Sequence, residues 1–172
     1  KTYINCLPRQ NAEREFTLTR KINPQPFIQS SHMEAACEEV FNIQVMGLAK
    51  RLVHTHCKKV VIGVSGGLDS TLALLVCVRA FDKLKLDRNG ILAVTMPGFG
   101  TSKRTYTNAV ALMKELGVDT KEISIVPSVV QHLKDIGHDT VTHDSTFENA
   151  QARERTQILM DLANEYNGMV LG

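Results

Sequence analysis

Residues 65–70 read Ser-Gly-Gly-Leu-Asp-Ser and are followed by Thr71 and Leu72. Gly66 and Gly67 allow backbone angles closed to other residues and let a ligand come up to the main chain. If a helix starts here, its first N–H groups lack internal partners, and its dipole adds about half a positive charge. The hydroxyls of Ser65, Ser70 and Thr71 complete a set of donors suited to phosphate, with no lysine among them. Asp69 would repel a bare phosphate. Its carboxylate makes sense if Mg²⁺ stands between it and the phosphate oxygens. The bland alternative is that Ser65 caps a helix, the glycines turn the chain and Asp69 favours the dipole of a first turn. Two serines flanking a glycine pair and an aspartate, directly after an apolar run, favour the phosphate reading.

Other motifs fit the same residues less well. A Walker loop needs Gly-Lys-Ser/Thr, but Leu68 and Asp69 follow Gly67, and G-x-G-x-x-G also fails. Gly63-Val-Ser65-Gly-Gly67 does match a nucleophile elbow. A Ser-His-Asp hydrolase would need an acid and a histidine after later strands. Only His132, His138 and His143 follow Ser65, none of them after a fourth strand. A hydrolase and a nucleotide-binding domain without turnover remain the alternatives at this point. His54 and His56 lack a metal-ligand frame. Farther along, Arg153 follows Asn149 by one helical turn, and a guanidinium fork matches carboxylate or phosphate. On spacing alone Arg153 also reads as a solvated charge beside Glu148, Glu154 and Arg155.

The flanking elements can be read from periodicity. Residues 1–29, with Pro8, Pro24 and Pro26, look like a linker or arm. Ser31-His-Met-Glu34 matches a capping box, and Cys37, Phe41, Val45, Leu48 and Leu52 continue as an amphipathic helix to Thr55. Lys59–Val64 reads as a buried parallel strand, Leu68–Phe81 as a buried helix and Ile91–Met96 as a second strand. A helix over 105–116 stopped by Gly117, a strand over 121–126 and a helix opened by Pro127 follow. After a polar loop, Thr146 is the expected cap of a long helix to Tyr166, with Ala150, Ile158, Leu159 and Leu162 partly inward, and Gly168–Gly172 begins a fourth strand. The expected fold is α/β, a doubly wound parallel sheet with helices on both faces, and the chain stops inside it. Ligands in such sheets bind beyond the carboxyl ends of the strands, here the loops after Val64, Met96 and Val126.

The 172 residues are 43% hydrophobic and 22% charged, as in an ordinary globular domain rather than a disordered or fibrous chain. A formal net charge of +2 announces no nucleic-acid partner, so phosphate binding must be local. No apolar run reaches a membrane span's length, and the first residues lack signal-peptide order. Scattered Cys6, Cys37, Cys57 and Cys77 point to a reducing, cytoplasmic setting.

At SGGLDS the sequence resembles the PP-loop ATP pyrophosphatases, whose signature is SGGxDS after the first strand. INPQPFIQSS before the first helix, MPGFGTSKRTYTNA at 96–109 and FENAQARERTQILMDLAN at 147–164 resemble the synthetase domain of the NAD synthetase family, in its glutamine-dependent form. The resemblance implies an adenine nucleotide alpha hydrolase-like, Rossmann-like domain from residue 30 to 172, truncated at its C-terminus, with residues 1–29 as the arm from a preceding glutaminase domain. It implies an ATP-dependent ligase that adenylates the carboxylate of deamido-NAD, releases pyrophosphate, and lets ammonia displace AMP. It implies ATP contacts at Ser65, Gly66, Gly67, Leu68, Asp69, Ser70, Thr71, Leu72, Met96 and Ser102, with Met96 and Pro97 facing the adenine and Asp69 holding the Mg²⁺. Asn149 and Arg153 would take the dinucleotide, and the protein would be a homo-oligomer. A Thr-Gly-x-x-Ser-Glu loop belongs after the last strand in that family and lies outside these residues.

Overall fold

The computed structural model describes residues 18–24, 26 and 32–172. The chain divides into two units, Lys1–Ala36 and Cys37–Gly172. In the first, the described residues before Met33 form no helix or strand. Ser31, the expected cap, and Gln25 and residues 27–30 of the upstream stretch fall outside the described residues.

The elements are α1 (Met33–Thr55), β1 (Val60–Gly63), α2 (Leu68–Leu84), β2 (Ile91–Thr95), α3 (Lys103–Glu115), β3 (Asp119–Glu122), α4 (Val126–Asp135), α5 (Ser145–Glu165) and β4 (Met169–Leu171). The second unit holds α1 from Cys37 onward. All four strands are parallel, in the order β3-β2-β1-β4. That is the expected doubly wound sheet. Alternation along the strands feeds two cores. Val60 and Ile62 of β1 and Val64 just beyond it, with Ile91 and Ala93 of β2, pack against α1, α2 and α3, where Leu52, Leu74 and Phe81 are buried. Val61, Leu92, Val94 and Met96 point the other way, toward Val129 and Leu133 of α4 and Phe147, Ala150 and Leu162 of α5. A strand covered on both faces must be apolar at every position, which is why Val60, Val61 and Ile62 form an unbroken run.

The third strand differs from expectation. It occupies Asp119–Glu122, four exposed residues, not the apolar run ending at Val126. At the sheet edge, pairing with β2 needs backbone groups only, so polar side chains can face water. The apolar residues that follow serve the helical layer: Ile125 is fully buried, and its N–H donates to the Pro97 carbonyl at 3.1 Å just before α4 begins. The caps also differ. Asp144, not Thr146, caps α5 by accepting from the Phe147 N–H, and Ser102 caps α3 by accepting from the Thr105 N–H. Ala150 and Leu162 are buried and Ile158 and Leu159 half-buried, so all four turn inward as expected. Cys37 is exposed and Phe41 half-buried, so the buried stripe of α1 is Val45, Leu48, Ala49 and Leu52.

Candidate functional site

Val64 leaves β1 with its N–H still bonded to the Val94 carbonyl at 2.8 Å, so the following loop is anchored on the sheet. Gly66 has φ +82, and a Cβ there would run into the Thr105 carbonyl of α3. Only glycine fits both the angle and the space. Gly67 is the N-cap residue of α2 and receives no side-chain cap from the chain before it.

The loop is tied by its own hydroxyls. Ser65 Oγ accepts from the Gly67 N–H at 3.2 Å. Ser70 Oγ accepts from the Ser65 N–H at 3.3 Å and donates to the Gly67 carbonyl at 3.1 Å. The single Ser70 proton is thereby used, so in the 3.1 Å contact between the two hydroxyls Ser65 donates. Ser65 thus sends its proton to another serine rather than to a base, which is not how a nucleophile is activated.

Beside this loop lies a cleft of about 550 Å³ at the carboxyl ends of β1 and β2. Its walls are Gly63 to Ser65 with Gly67, Val94 to Pro97, Gly100 and Thr101 with Thr105, and Glu148, Gln151, Arg155 and Leu159 of α5. Among the described residues no histidine lines it, so none of them supplies the base that the elbow reading requires.

Ser65, Gly67 and Met96 therefore meet in one cleft. Asp69 and Leu72 instead line a neighbouring hollow of about 530 Å³, with Leu48 and Arg51 of α1 and Met169–Leu171 of β4. Gly66, Leu68, Ser70, Thr71, Ser102, Asn149 and Arg153 line neither. Gly66 backs onto α3, Ser70 braces the loop, Ser102 is engaged as a cap, and Leu68 is 85% exposed. Asn149 and Arg153 are exposed on α5. The cleft face of that helix runs through Glu148, Gln151, Arg155 and Leu159, at steps of three and four.

Arg155 and Gln151 are two of several cleft residues that the motifs did not single out as site residues, with Thr105 and Glu148 among the others. Arg155 Nε donates to the Met96 carbonyl at 3.3 Å. Partial burial holds its pKa below the ordinary arginine value, against the pull of Glu148, and the group remains a cation. The signal available in the sequence was the spacing Phe147, Gln151, Arg155, one helical face whose first member is apolar enough to be buried. Among the described residues, no three His, Cys, Asp or Glu side chains gather as a metal cage. A cation at Asp69 would need phosphate oxygens and water for its remaining ligands, a donor set that suits Mg²⁺.

The family model described as NAD synthase matches residues 40–172. The chain belongs to this family. It is 47% identical over 161 residues to the glutamine-dependent NAD(+) synthetase of Mycobacterium leprae, across 90% of this chain and 24% of that protein. The glutamine-dependent NAD(+) synthetase of Thermotoga maritima is 36% identical over 139 residues, with 78% and 23% covered. The chain thus spans about a quarter of the length of these relatives. Among solved structures of NAD synthase relatives, the glutamine-dependent NAD+ synthetase from Acinetobacter baumannii in complex with ADP matches with a TM-score of 0.67 and 29% identity, over 77% of this chain and 24% of that one. The NMN synthetase from Francisella tularensis matches with a TM-score of 0.68 and 27% identity, over 78% of this chain and 53% of that one. No helix among the described residues is long and apolar enough to cross a membrane.

Proposed function

We propose that this chain is the ATP-handling part of a glutamine-dependent NAD synthetase. The observation that carries the reading is the Ser65–Ser70 loop, which opens on the cleft at the ends of β1 and β2 within the stretch that matches the NAD synthase family. ATP transfers its adenylyl group to the carboxylate of deamido-NAD and pyrophosphate leaves. Ammonia then attacks the acyl carbon and AMP departs, giving the amide. A carboxylate is a weak nucleophile, so in-line positioning and neutralisation of the leaving pyrophosphate carry the first step.

Ser65, Gly66, Gly67, Ser70 and Thr71 hold the leaving group, with Leu68 and Leu72 as further ATP contacts. Met96 and Pro97 face the adenine, and Ser102 at the start of α3 lies toward a phosphate. Asp69 would hold Mg²⁺, which supplies charge neutralisation on the phosphate oxygens. Asn149 and Arg153, exposed on α5, take the dinucleotide, and Arg155 adds a cation inside the cleft. Ammonia comes from a glutaminase domain of the longer protein, which works in the cytoplasm as a homo-oligomer and requires neither membrane nor nucleic acid.

Product analysis of the whole enzyme tests this reading. AMP and pyrophosphate are expected from ATP; ADP and orthophosphate would exclude the chemistry. Offering nicotinic acid mononucleotide beside deamido-NAD separates the dinucleotide substrate from the smaller one suggested by the name of the Francisella protein.

A further inference from the structure

Gln151 is 4% exposed, and among the described residues only it and Thr95 are buried polar side chains. Its Oε1 accepts from the Phe99 N–H at 3.2 Å. A backbone N–H can only donate, so the acceptor end of the carboxamide must face Phe99 and the orientation is fixed. Nε2 has no protein partner among the described residues, yet no buried side-chain nitrogen is sealed from solvent without one. Nε2 therefore keeps access to solvent, and the side chain that carries it lines the cleft. A carboxamide donor pair held this deep without an acceptor leaves hydrogen-bonding capacity unused.

The segment that Gln151 grips forms one wall of that cleft. Met96 O takes Arg155 Nε, Pro97 O takes the Ile125 N–H, and the Gly98 N–H donates to Thr101 Oγ1 at 2.9 Å. The Phe99 ring lies 5.1 Å from that of Phe147, one turn before Gln151. A Cβ on Gly98 would stand 2.6 Å from Gln151 Oε1 and 2.7 Å from Arg155 Nη2. Gly98 is thus the gap through which α5 reaches the loop.

We propose that Gln151 does two jobs in this cleft: Oε1 pins the wall at 97–101, and Nε2 donates to an acceptor atom on the base-and-ribose half of a nucleotide. The cleft also offers Met96, Pro97 and Leu159 as apolar lining for a heterocycle, with the Arg155 cation beside Gln151 and the carboxamide itself a neutral donor. The second job rests on the nucleotide reading above; the first does not.

The variants separate the two jobs. Gln151→Glu keeps an acceptor for Phe99 and loses the donor. Gln151→Ala loses both, and Gly98→Ala disturbs the grip from the opposite side. Binding to this chain is measured by calorimetry with Mg-ATP and with inorganic tripolyphosphate, which lacks base and ribose, and Phe99 amide exchange reports the wall. Gln151→Glu is expected to weaken ATP about tenfold or more, the worth of one such hydrogen bond. It should leave tripolyphosphate binding and Phe99 protection unchanged, so added negative charge is not the cause. Gln151→Ala and Gly98→Ala are expected to lose Phe99 protection as well. Unchanged ATP affinity in Gln151→Glu overturns the donor role, and retained Phe99 protection in both other variants overturns the pinning role. Tripolyphosphate binding without any preference for ATP in the unaltered chain overturns the donor role while the phosphate seat stands. Binding of neither overturns the nucleotide reading itself, and the exchange measurement still decides the pinning.

Discussion

Gly66 combines a left-handed φ of +82 with a Cβ position taken by the Thr105 carbonyl, so strain and collision act together. Gly66→Ala should cost about 2 kcal/mol or more in urea unfolding and displace α3 from the loop. Asp69 raises a separate question, because it borders the hollow beside α1 and β4 rather than the cleft. If it shares Mg²⁺ with a bound nucleotide, calorimetry of Asp69→Ala should show ATP binding that no longer responds to magnesium. Equal, magnesium-independent binding by both proteins would refute that role. Cys77 offers a reporter of a different kind. Burial pushes its pKa up to about 12, so at neutral pH it stays a protonated, shielded thiol. A thiol reagent should modify exposed Cys37 in the folded protein and reach Cys77 only as the chain unfolds.

The elements place the cleft through their ends as much as through their faces. Asp144 caps α5 two turns before Gln151, and the polar loop before it is held by His138. Nδ1–H of His138 donates to the Asp139 carbonyl, and Nε2 lies 3.2 Å from Asp144 Oδ1, so both ring nitrogens act as donors in the charged form. The Asp139 carbonyl first, and the Asp144 carboxylate second, raise the His138 pKa above 6.5. The stabilisation this gives is whole below the ordinary histidine value and is lost as pH rises through the raised one. Asp144 and Asp139 are shifted down from 3.8, chiefly by backbone N–H donors, so their contributions hold above that value and fail as pH falls through the lowered ones. The loop is tied most firmly between those limits. NMR titration of His138 should give a midpoint above 6.5, moving back toward it in Asp144→Asn. On the other face of the sheet, Phe81 is fully buried in the first core, and Phe81→Ala should lose about 3–5 kcal/mol in denaturant unfolding.

At the scale of the molecule, the order β3-β2-β1-β4 decides which loops become neighbours. With β1 and β2 adjacent and parallel, the turn after Val64 and the bend after Thr95 leave the sheet at the same end, and α5 crosses above them from the opposite layer. Gln151 and Arg155 thus meet a loop more than fifty residues earlier in the chain. β4 lies on the open side of β1, where Asp69 and Leu72 face it across the second hollow. Side chains within one short motif are therefore shared between two cavities, as the winding of the helix after Gly67 requires.

The residues alone determined the alternation of apolar strands and helices, the glycine pair and its hydroxyls, and through them the α/β class and the position of the Ser65–Ser70 loop. Each is a local property, set by backbone freedom, hydrogen-bonding capacity or a period of two or 3.6 residues. The tertiary structure decided the rest. It decided that an edge strand could be the polar Asp119–Glu122 segment, because pairing there needs backbone and not apolar side chains. It also decided that Glu148, Gln151 and Arg155 face the cleft while Asn149 and Arg153 do not, because the rotation of α5 is set by what Phe147, Ala150 and Leu162 bury against the sheet.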